Sequence, residues 1–474
     1  MVANKRYVNS ICLRFIGGFK MILLKNCFYV ATFNDREDEL KNHDILIREN
    51  VIEKIAPAIQ LFPQELMNTE VIDCSRFLVI PGMINTHHHL FQTLTRNLPG
   101  AQNAKLFDWL VYLYPIWGRM DEEAIYYSTL LGSAELLKTG ATTTTDQMYL
   151  YPEDFKGDMM GIQFEAAARA GIRFSPSRGS MTRGESDGGL PPDHVVQNTE
   201  EVIRDMVRVI EKFHDPDPLA MRKIVLAPCS LFSVDEDVMM ETAMLGRTHS
   251  VVIHTHLAEA EDEGIYCLEK YGKRPLALME SWEWLGEDVY FAHGIWFSDD
   301  ELKVLEDTNT GISHCPTSNM RLGSGIARVK EMLDMGIRVG LGVDGSASND
   351  SSDILGEVRN AMLAQRVKYG PDALTARQAL YMATRNGADL LKLSRLGKIE
   401  EGMGADLALY DMFKLQYAGA LEDPLAAIVF SGYNHETAYT IVNGDVVVRE
   451  GKIVGYDEEE IVERVNAITG RIVG

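Results

Sequence analysis

Short apolar runs alternate with longer helical stretches through the middle of this chain, and runs of a different character flank them on both sides. From Met21 to about Leu78 the segments MILLKNCFYVAT, DILIREN, VIEKIA and EVIDCSRFLVI, with turn residues between them, predict antiparallel strands. A similar set lies near the other end, where ADLALYDM and YTIVNGDVVVREGKIVG, with Asn443-Gly444 and Glu450-Gly451 turns, predict hairpins. Two β segments so far apart share one small sandwich only if the chain between them brings its ends together, as a closed barrel does.

The middle region counts out as such a barrel. FLVIPGMINTHHH, GATTTTDQ, GIRFSPSRG, RKIVLAPCS, SVVIHTHLAE, DVYFAHG, TGISHCPTS and IRVGLGVDG make eight strand candidates, and stretches with apolar spacing of three or four separate them. The clearest helix spans Asp121–Lys138, with Asp121 as N-cap, Glu122 and Glu123 in the first turn and Gly140 past the end. Strand and helix alternating to a count of eight, with no GxGxxG turn after the first strand, predict an α/β fold: a (β/α)8 barrel with a small β-sandwich domain built from N- and C-terminal segments. The expected divisions are an extension over 1–20, a first sandwich part over 21–79, the barrel over 80–398, and a second sandwich part with a C-terminal helix over 399–474.

Composition narrows the class of function. With 474 residues, 46% of them hydrophobic, the chain can fill a barrel core and a second domain. A formal charge of −23 argues against binding to nucleic acid or to an anionic membrane surface, so the expected partner is a small molecule. The cysteines at 12, 27, 74, 229, 267 and 315 form no CxxC pair, which predicts free thiols in a reducing cytoplasm. Arg14 and Lys20 interrupt the apolar stretches of the first twenty residues, and no small-residue cleavage site follows, so neither a signal peptide nor a membrane span is expected. A homo-oligomer is expected from the exposed helices of such a barrel.

Candidate chemistry collects at the C-terminal ends of the strands, where barrels of this kind keep their sites. His87 and His89 end the first run, His256 the fifth, His293 the sixth and Asp344 the eighth. Residues two apart on a strand face one side, so His87 and His89 can point at the barrel axis together while His88 faces away. Alone, an HxH pair is equally compatible with satisfied core histidines. Three further polar strand ends change that balance, because burying several imidazoles with a carboxylate is costly unless a cation or an extended network compensates. His87, His89, His256 and Asp344 can supply the ligands of one divalent ion, Zn2+ by default and Fe2+ as the other compatible ion. His254 shares the parity of His256, but His256 lies nearer the strand end and precedes Glu259 by three residues.

PGMINTHHH, IHTHLAE, FAHG and GVDGSASND together resemble the amidohydrolase superfamily, in its mononuclear-metal deaminase branch, and LGKIEEGMGADLALYD is similar to that family's passage from barrel to sandwich. The resemblance covers nearly everything after Met21. It implies that Asp344 is both ligand and base, assisted by His293, and that Glu259 delivers a proton to a ring nitrogen while an exocyclic amine leaves as ammonia. No lysine ends the fourth run, so the bridging lysine of the binuclear branch is not expected; cyclic-amide hydrolysis, the alternative from a different class, predicts that lysine and a second ion.

FQTLTRNLPGAQNAKLFDWL, SPSRGSMTRGESDGGLPPD and APCSLFSVD resemble more narrowly the 8-oxoguanine deaminases and hydroxyatrazine-type ethylaminohydrolases. This implies deamination of an oxidised purine, with guanine, isoxanthopterin or an s-triazine as alternatives. Gln92 and Arg178 are candidate polar contacts for the base, Trp109 and Tyr149 candidate aromatic walls, and Cys229 stands where adenosyl-type deaminases usually carry histidine. Asp146 and Gln147 are placed to support the pocket, and His314 to contact substrate or hydrogen-bond within the core. The glycine-rich stretch Arg178–Pro192 reads as a lid or as a long surface connection, and Asn349 or Asp350 as the cap of the helix after GSASND.

Overall fold

The computed structural model describes residues 20–474. The expected N-terminal extension, apart from Lys20, lies outside the described residues. Eight parallel strands close into a barrel: β1 (Met83–Asn85), β2 (Ala141–Met148), β3 (Arg173–Ser180), β4 (Val225–Pro228), β5 (Ile253–Leu257), β6 (Val289–His293), β7 (Gly311–His314) and β8 (Val339–Leu341), with β8 pairing back onto β1. Helices fill the connections as their spacing predicts. The helix Glu122–Lys138 is capped by Asp121, whose carboxylate accepts from the Ala124 N–H at 2.9 Å, and Gly140 follows it at φ +98°. No helix among the described residues is long and apolar enough to cross a membrane.

The flanking segments form two further sheets. One has the order Val51–Ala56, His43–Arg48, Met21–Cys27, Thr69–Asp73; the other joins Tyr29–Ala31 and Phe77–Pro81 to Leu407–Asp411, Tyr439–Val442 and Asp445–Arg449. Apolar residues from both, among them Ile22, Val30, Ile45, Val79, Leu407 and Ile441, bury a common core. Both predicted turns are present, with Asn443, Gly444, Glu450 and Gly451 all at positive φ. Two pairings correct the all-antiparallel expectation: Met21–Cys27 runs parallel to Thr69–Asp73, and Tyr29–Ala31 parallel to Phe77–Pro81.

The first strand candidate also splits. Phe77–Pro81 belongs to the sandwich sheet, where it pairs with Leu407–Asp411, and only Met83–Asn85 enters the barrel. The chain crosses between them at Gly82, where a Cβ would lie 2.2 Å from the Thr142 side chain, so the close approach of strand to strand requires glycine. Residues 86–89 therefore lie beyond β1 rather than within it.

A buried ion pair ties the two parts together. Arg173 at the start of β3 holds both oxygens of Asp406, at 2.8 and 3.2 Å, and the two side chains are 1% and 3% exposed. Arg173 also donates to the Leu219 and Ala220 carbonyls, and Asp406 accepts from the Asn443 N–H at 2.8 Å. Removing one partner leaves an uncompensated charge in the interior, at a cost of about 3–5 kcal/mol. Asp406→Ala is expected to lower the unfolding free energy by that amount in urea denaturation, and a fall of less than about 1 kcal/mol would show the pair to be energetically idle.

Candidate metal centre and pocket

The eight strands deliver their C-terminal ends to one place. Extended backbone after β1 turns His87 and His89 inward and His88 outward, where His88 Nε2 meets Ser352 Oγ at 3.0 Å. His256 rises from β5 so that its Nε2 lies 3.1 Å from His89 Nε2. Asp344, three residues past β8, places Oδ1 3.3 Å from the Nε2 atoms of both His87 and His89. The ligand nitrogens of His87, His89 and His256 all lie within 4.8 Å of one another, as do those of His87 and His293 with an Asp344 oxygen. Donors about 2.0–2.1 Å from one tetrahedral ion are separated by about 3.3 Å, close to the 3.1–3.3 Å of the His89–His256, His87–Asp344 and His89–Asp344 pairs.

Hydrogen bonds fix which imidazole nitrogens are free. His89 Nδ1 is committed to the Gln147 carbonyl at 2.9 Å and His256 Nδ1 to the Cys229 carbonyl at 2.6 Å, so the two Nε2 atoms face each other as lone pairs with no proton between them. His87 Nδ1 meets His254 Nε2 at 2.9 Å, leaving His87 Nε2 buried with no aligned hydrogen bond, its polar neighbour being Asp344 Oδ1 at 3.3 Å. Converging lone pairs and an orphaned buried nitrogen fit a divalent cation. Burial, the largest influence, holds His87 and His256 well below the usual imidazole range and lowers His89 too, which keeps all three neutral as ligands must be. Burial works to raise the Asp344 carboxyl, but the imidazoles of His87, His293 and His89 outweigh it and hold it well below the carboxylate range.

Asp344 and His293 both sit at positive φ, +64° and +76°, a conformation uncommon outside glycine that aims each side chain over the strand ends. Gly345 N–H and Ser348 Oγ contact the two Asp344 oxygens at 2.6 and 3.4 Å, so GSASND orients that carboxylate. Its helical turn is Ser346–Asn349, and the longer helix Ile354–Tyr369 takes its cap from Asp353 rather than Asn349 or Asp350. Asp350 is left-handed at φ +73° and closes the first turn instead.

A pocket opens above these groups. Glu259 enters it with Oε2 3.5 Å from His293 Nε2, and His293 Nδ1 meets Asn319 Oδ1 at 2.9 Å. Burial pushes Glu259 up to about 7 and Glu263, which accepts the Glu259 N–H at 3.0 Å, up to about 8. Burial would lower His293, but Glu259 and Asp344 hold it above its usual value. Gln92, Trp109, Tyr149 and Cys229 also line the pocket. A Cβ at Gly345 would come 1.9 Å from Gln92 Oε1, so that glycine makes room for Gln92.

Arg178 does not join them. Its side chain is fully buried on the outer face of β3, donates to Asp205 Oδ2 at 2.5 Å, to Gln197 Oε1 at 2.9 Å and to the Gly179 carbonyl, and stacks over Tyr151 at 3.8 Å. Its donors are spent on the helix Thr199–Phe213, on the Gln197 side chain before it and on backbone, which removes it from the base contacts. Asp146 and Gln147 lie just beneath the site: Asp146 accepts from the Leu90 N–H at 2.5 Å and Gln163 Nε2 at 2.7 Å. His314 is buried with neither ring nitrogen partnered and does not line the pocket. The stretch after Arg178 bonds to the β4 loop through Thr182 and Arg183 N–H groups to the Ser233 carbonyl and through Arg183 to Tyr266, Tyr271 and Asp235, and none of residues 178–192 lines the pocket.

Sequence reading missed the helix Leu106–Trp117, which sets Leu106, Leu110 and Tyr114 into the pocket beside Trp109. Their three-and-four spacing is the available signal. It also missed Phe232, Leu322 and the Asn319 partner of His293.

Comparison with known proteins gives a consistent result. The profile of the amidohydrolase family matches residues 78–447. The chain is 41% identical over 401 residues to an 8-oxoguanine deaminase of Pseudomonas aeruginosa, covering 85% of this chain and 89% of that one. It is 35% identical over 445 residues to a hydroxydechloroatrazine ethylaminohydrolase of Pseudomonas sp. strain ADP, covering 92% of each. The crystal structure of an atrazine chlorohydrolase from Arthrobacter aurescens TC1 complexed with zinc superposes with a TM-score of 0.90 at 31% identity, over 94% of this chain and all of that one.

Proposed function

Since the chain belongs to the amidohydrolase family, we propose that it is a hydrolytic deaminase of an amino-bearing nitrogen heterocycle, with 8-oxoguanine, converted to urate and ammonia, as its substrate. One observation carries the reading: the convergence of His87, His89, His256 and Asp344 beneath a pocket that also holds Glu259 and His293. A divalent cation held by those four residues, Zn2+ or else Fe2+, would supply Lewis-acid activation of water.

The protein's own groups divide the proton work. Asp344, a carboxylate at neutral pH, is the base, and His293, held above its usual value by Glu259 and Asp344, stands beside it to assist the proton transfer. Glu259, raised to about 7, retains the acid form needed to protonate the ring nitrogen next to the carbon that loses its amine. Leu106, Leu110 and Phe232 give a flat ring apolar walls and exclude bulk water, while Trp109 and Tyr149 offer aromatic faces.

The relative named as an 8-oxoguanine deaminase supports the oxidised purine. The ethylaminohydrolase relative, covered over a larger share of both chains, favours a second reading as an s-triazine aminohydrolase. Cyclic-amide hydrolysis with a lysine-bridged pair of ions finds no support, because β4 ends at Pro228 and is followed by Cys229 and Ser230, while Lys223 precedes its start and bonds the Asp215 carbonyl. Release of ammonia or ethylamine from 8-oxoguanine, guanine, isoxanthopterin and hydroxyatrazine tests the assignment. The highest kcat/KM is expected for 8-oxoguanine. A maximum on hydroxyatrazine would move the protein to the second reading, and amine release from none of the four would end the deaminase reading.

A further inference from the structure

Two buried polar side-chain atoms facing the pocket have no hydrogen-bond partner: the Tyr114 hydroxyl and Gln92 Oε1. Three other polar groups of the wall are committed. Ser230 Oγ lies 2.7 Å from Ser233 Oγ, Ser348 Oγ 2.9 Å from Ser318 Oγ, and Trp109 Nε1 donates to the Ala347 carbonyl at 3.3 Å. Leaving a buried hydroxyl unmet is unfavourable, and a site that keeps one selects ligands able to meet it.

Tyr114 is held rigidly for such a role. Its side chain is 0% exposed, its ring packs edge-on to Trp117 at 5.8 Å, and its helix continues through Pro115 to Trp117. Burial, reinforced by Cys229 and Glu259 nearby, keeps the phenol protonated far above neutral pH, so it can donate. Those two neighbours also place it on the side of the pocket where the acid carboxyl works.

We propose that Tyr114 is a specificity-determining residue whose hydroxyl donates to a ring carbonyl oxygen of the substrate, selecting heterocycles with a lactam edge over aminoheterocycles without one. Gln92 Oε1, an acceptor, suits the N–H that a lactam carries beside its carbonyl. The proposal deepens the deaminase reading and rests on the same pocket.

Equilibrium binding separates the two ideas, because it needs no turnover. Xanthine, which has lactam edges, and unsubstituted purine, which has none, are titrated against the wild-type protein and Tyr114→Phe, with Tyr114→Leu as a second variant should the first fail to fold. The expected result is a preference for xanthine in the wild type that falls at least tenfold in the variant, through weaker xanthine binding at little-changed purine binding. An equal preference in both proteins, whether the variant binds both ligands well or both poorly, would overturn the proposal. If the preference falls as expected while none of the candidate bases is deaminated, the lactam subsite stands and the deaminase reading fails. Turnover of 8-oxoguanine with the preference unchanged would have the opposite meaning.

Discussion

Glu259→Gln is expected to lower kcat by roughly 10²- to 10⁴-fold while KM stays within a few-fold. The amide keeps the volume and a hydrogen-bonding end but has no proton to give. Its place is prepared by the fold: the Glu259 backbone N–H is held by Glu263, and its carboxyl is 3.5 Å from His293 in a pocket dry enough to push it up to about 7. A buried acid with a raised pKa is protonated below that value and ionised above it. Activity that depends on the acid form therefore declines as pH rises through that value, and the residual activity of the glutamine variant should lack this alkaline decline. A variant within tenfold of wild type at every pH would remove Glu259 from the chemistry.

The second large effect is on the metal. His87→Ala is expected to reduce bound metal to below one tenth of the wild-type content and activity with it, measured by elemental analysis of protein purified in parallel. Changing a residue that merely supports a metal ligand typically costs about 10–100-fold in affinity or activity, so losing a ligand outright should cost at least that much. His87 is the most telling choice because its Nε2 makes no aligned hydrogen bond and faces the Asp344 carboxylate at 3.3 Å, while its Nδ1 is already engaged by His254. If the nitrogen were only a core group, alanine would alter stability and leave metal content unchanged.

Strand spacing and parity carried much of this site in the sequence. Alternation of short apolar runs with three-and-four spacing is a local property, and it yielded the barrel and the joining of distant sandwich segments. Parity placed His87 and His89 together and His88 away, and proximity to the strand end chose His256 over His254, which the structure places behind His87. Standing at a strand end did not place Arg178 in the pocket, because a strand closed into a barrel has polar positions on its outer side as well. The deciding partner, Asp205, lies on a later helix that no local pattern links to it. The split at Gly82 was hidden for a similar reason: FLVIPGMIN is one continuous apolar run, and only pairing with residues 407–411, more than three hundred positions away, divides it. Tyr114 was concealed because the apolar face of its helix reads as ordinary core, and an unpartnered hydroxyl is visible only once every neighbour is in place.

Returning metal to stripped protein, with activity followed against ions added per chain, tests most directly whether His87, His89, His256 and Asp344 form one centre on which the reaction depends. A single centre predicts no activity in the stripped protein and a linear rise that ends at one ion per chain. A rise that continues to two ions, or full activity before any metal is returned, would contradict it.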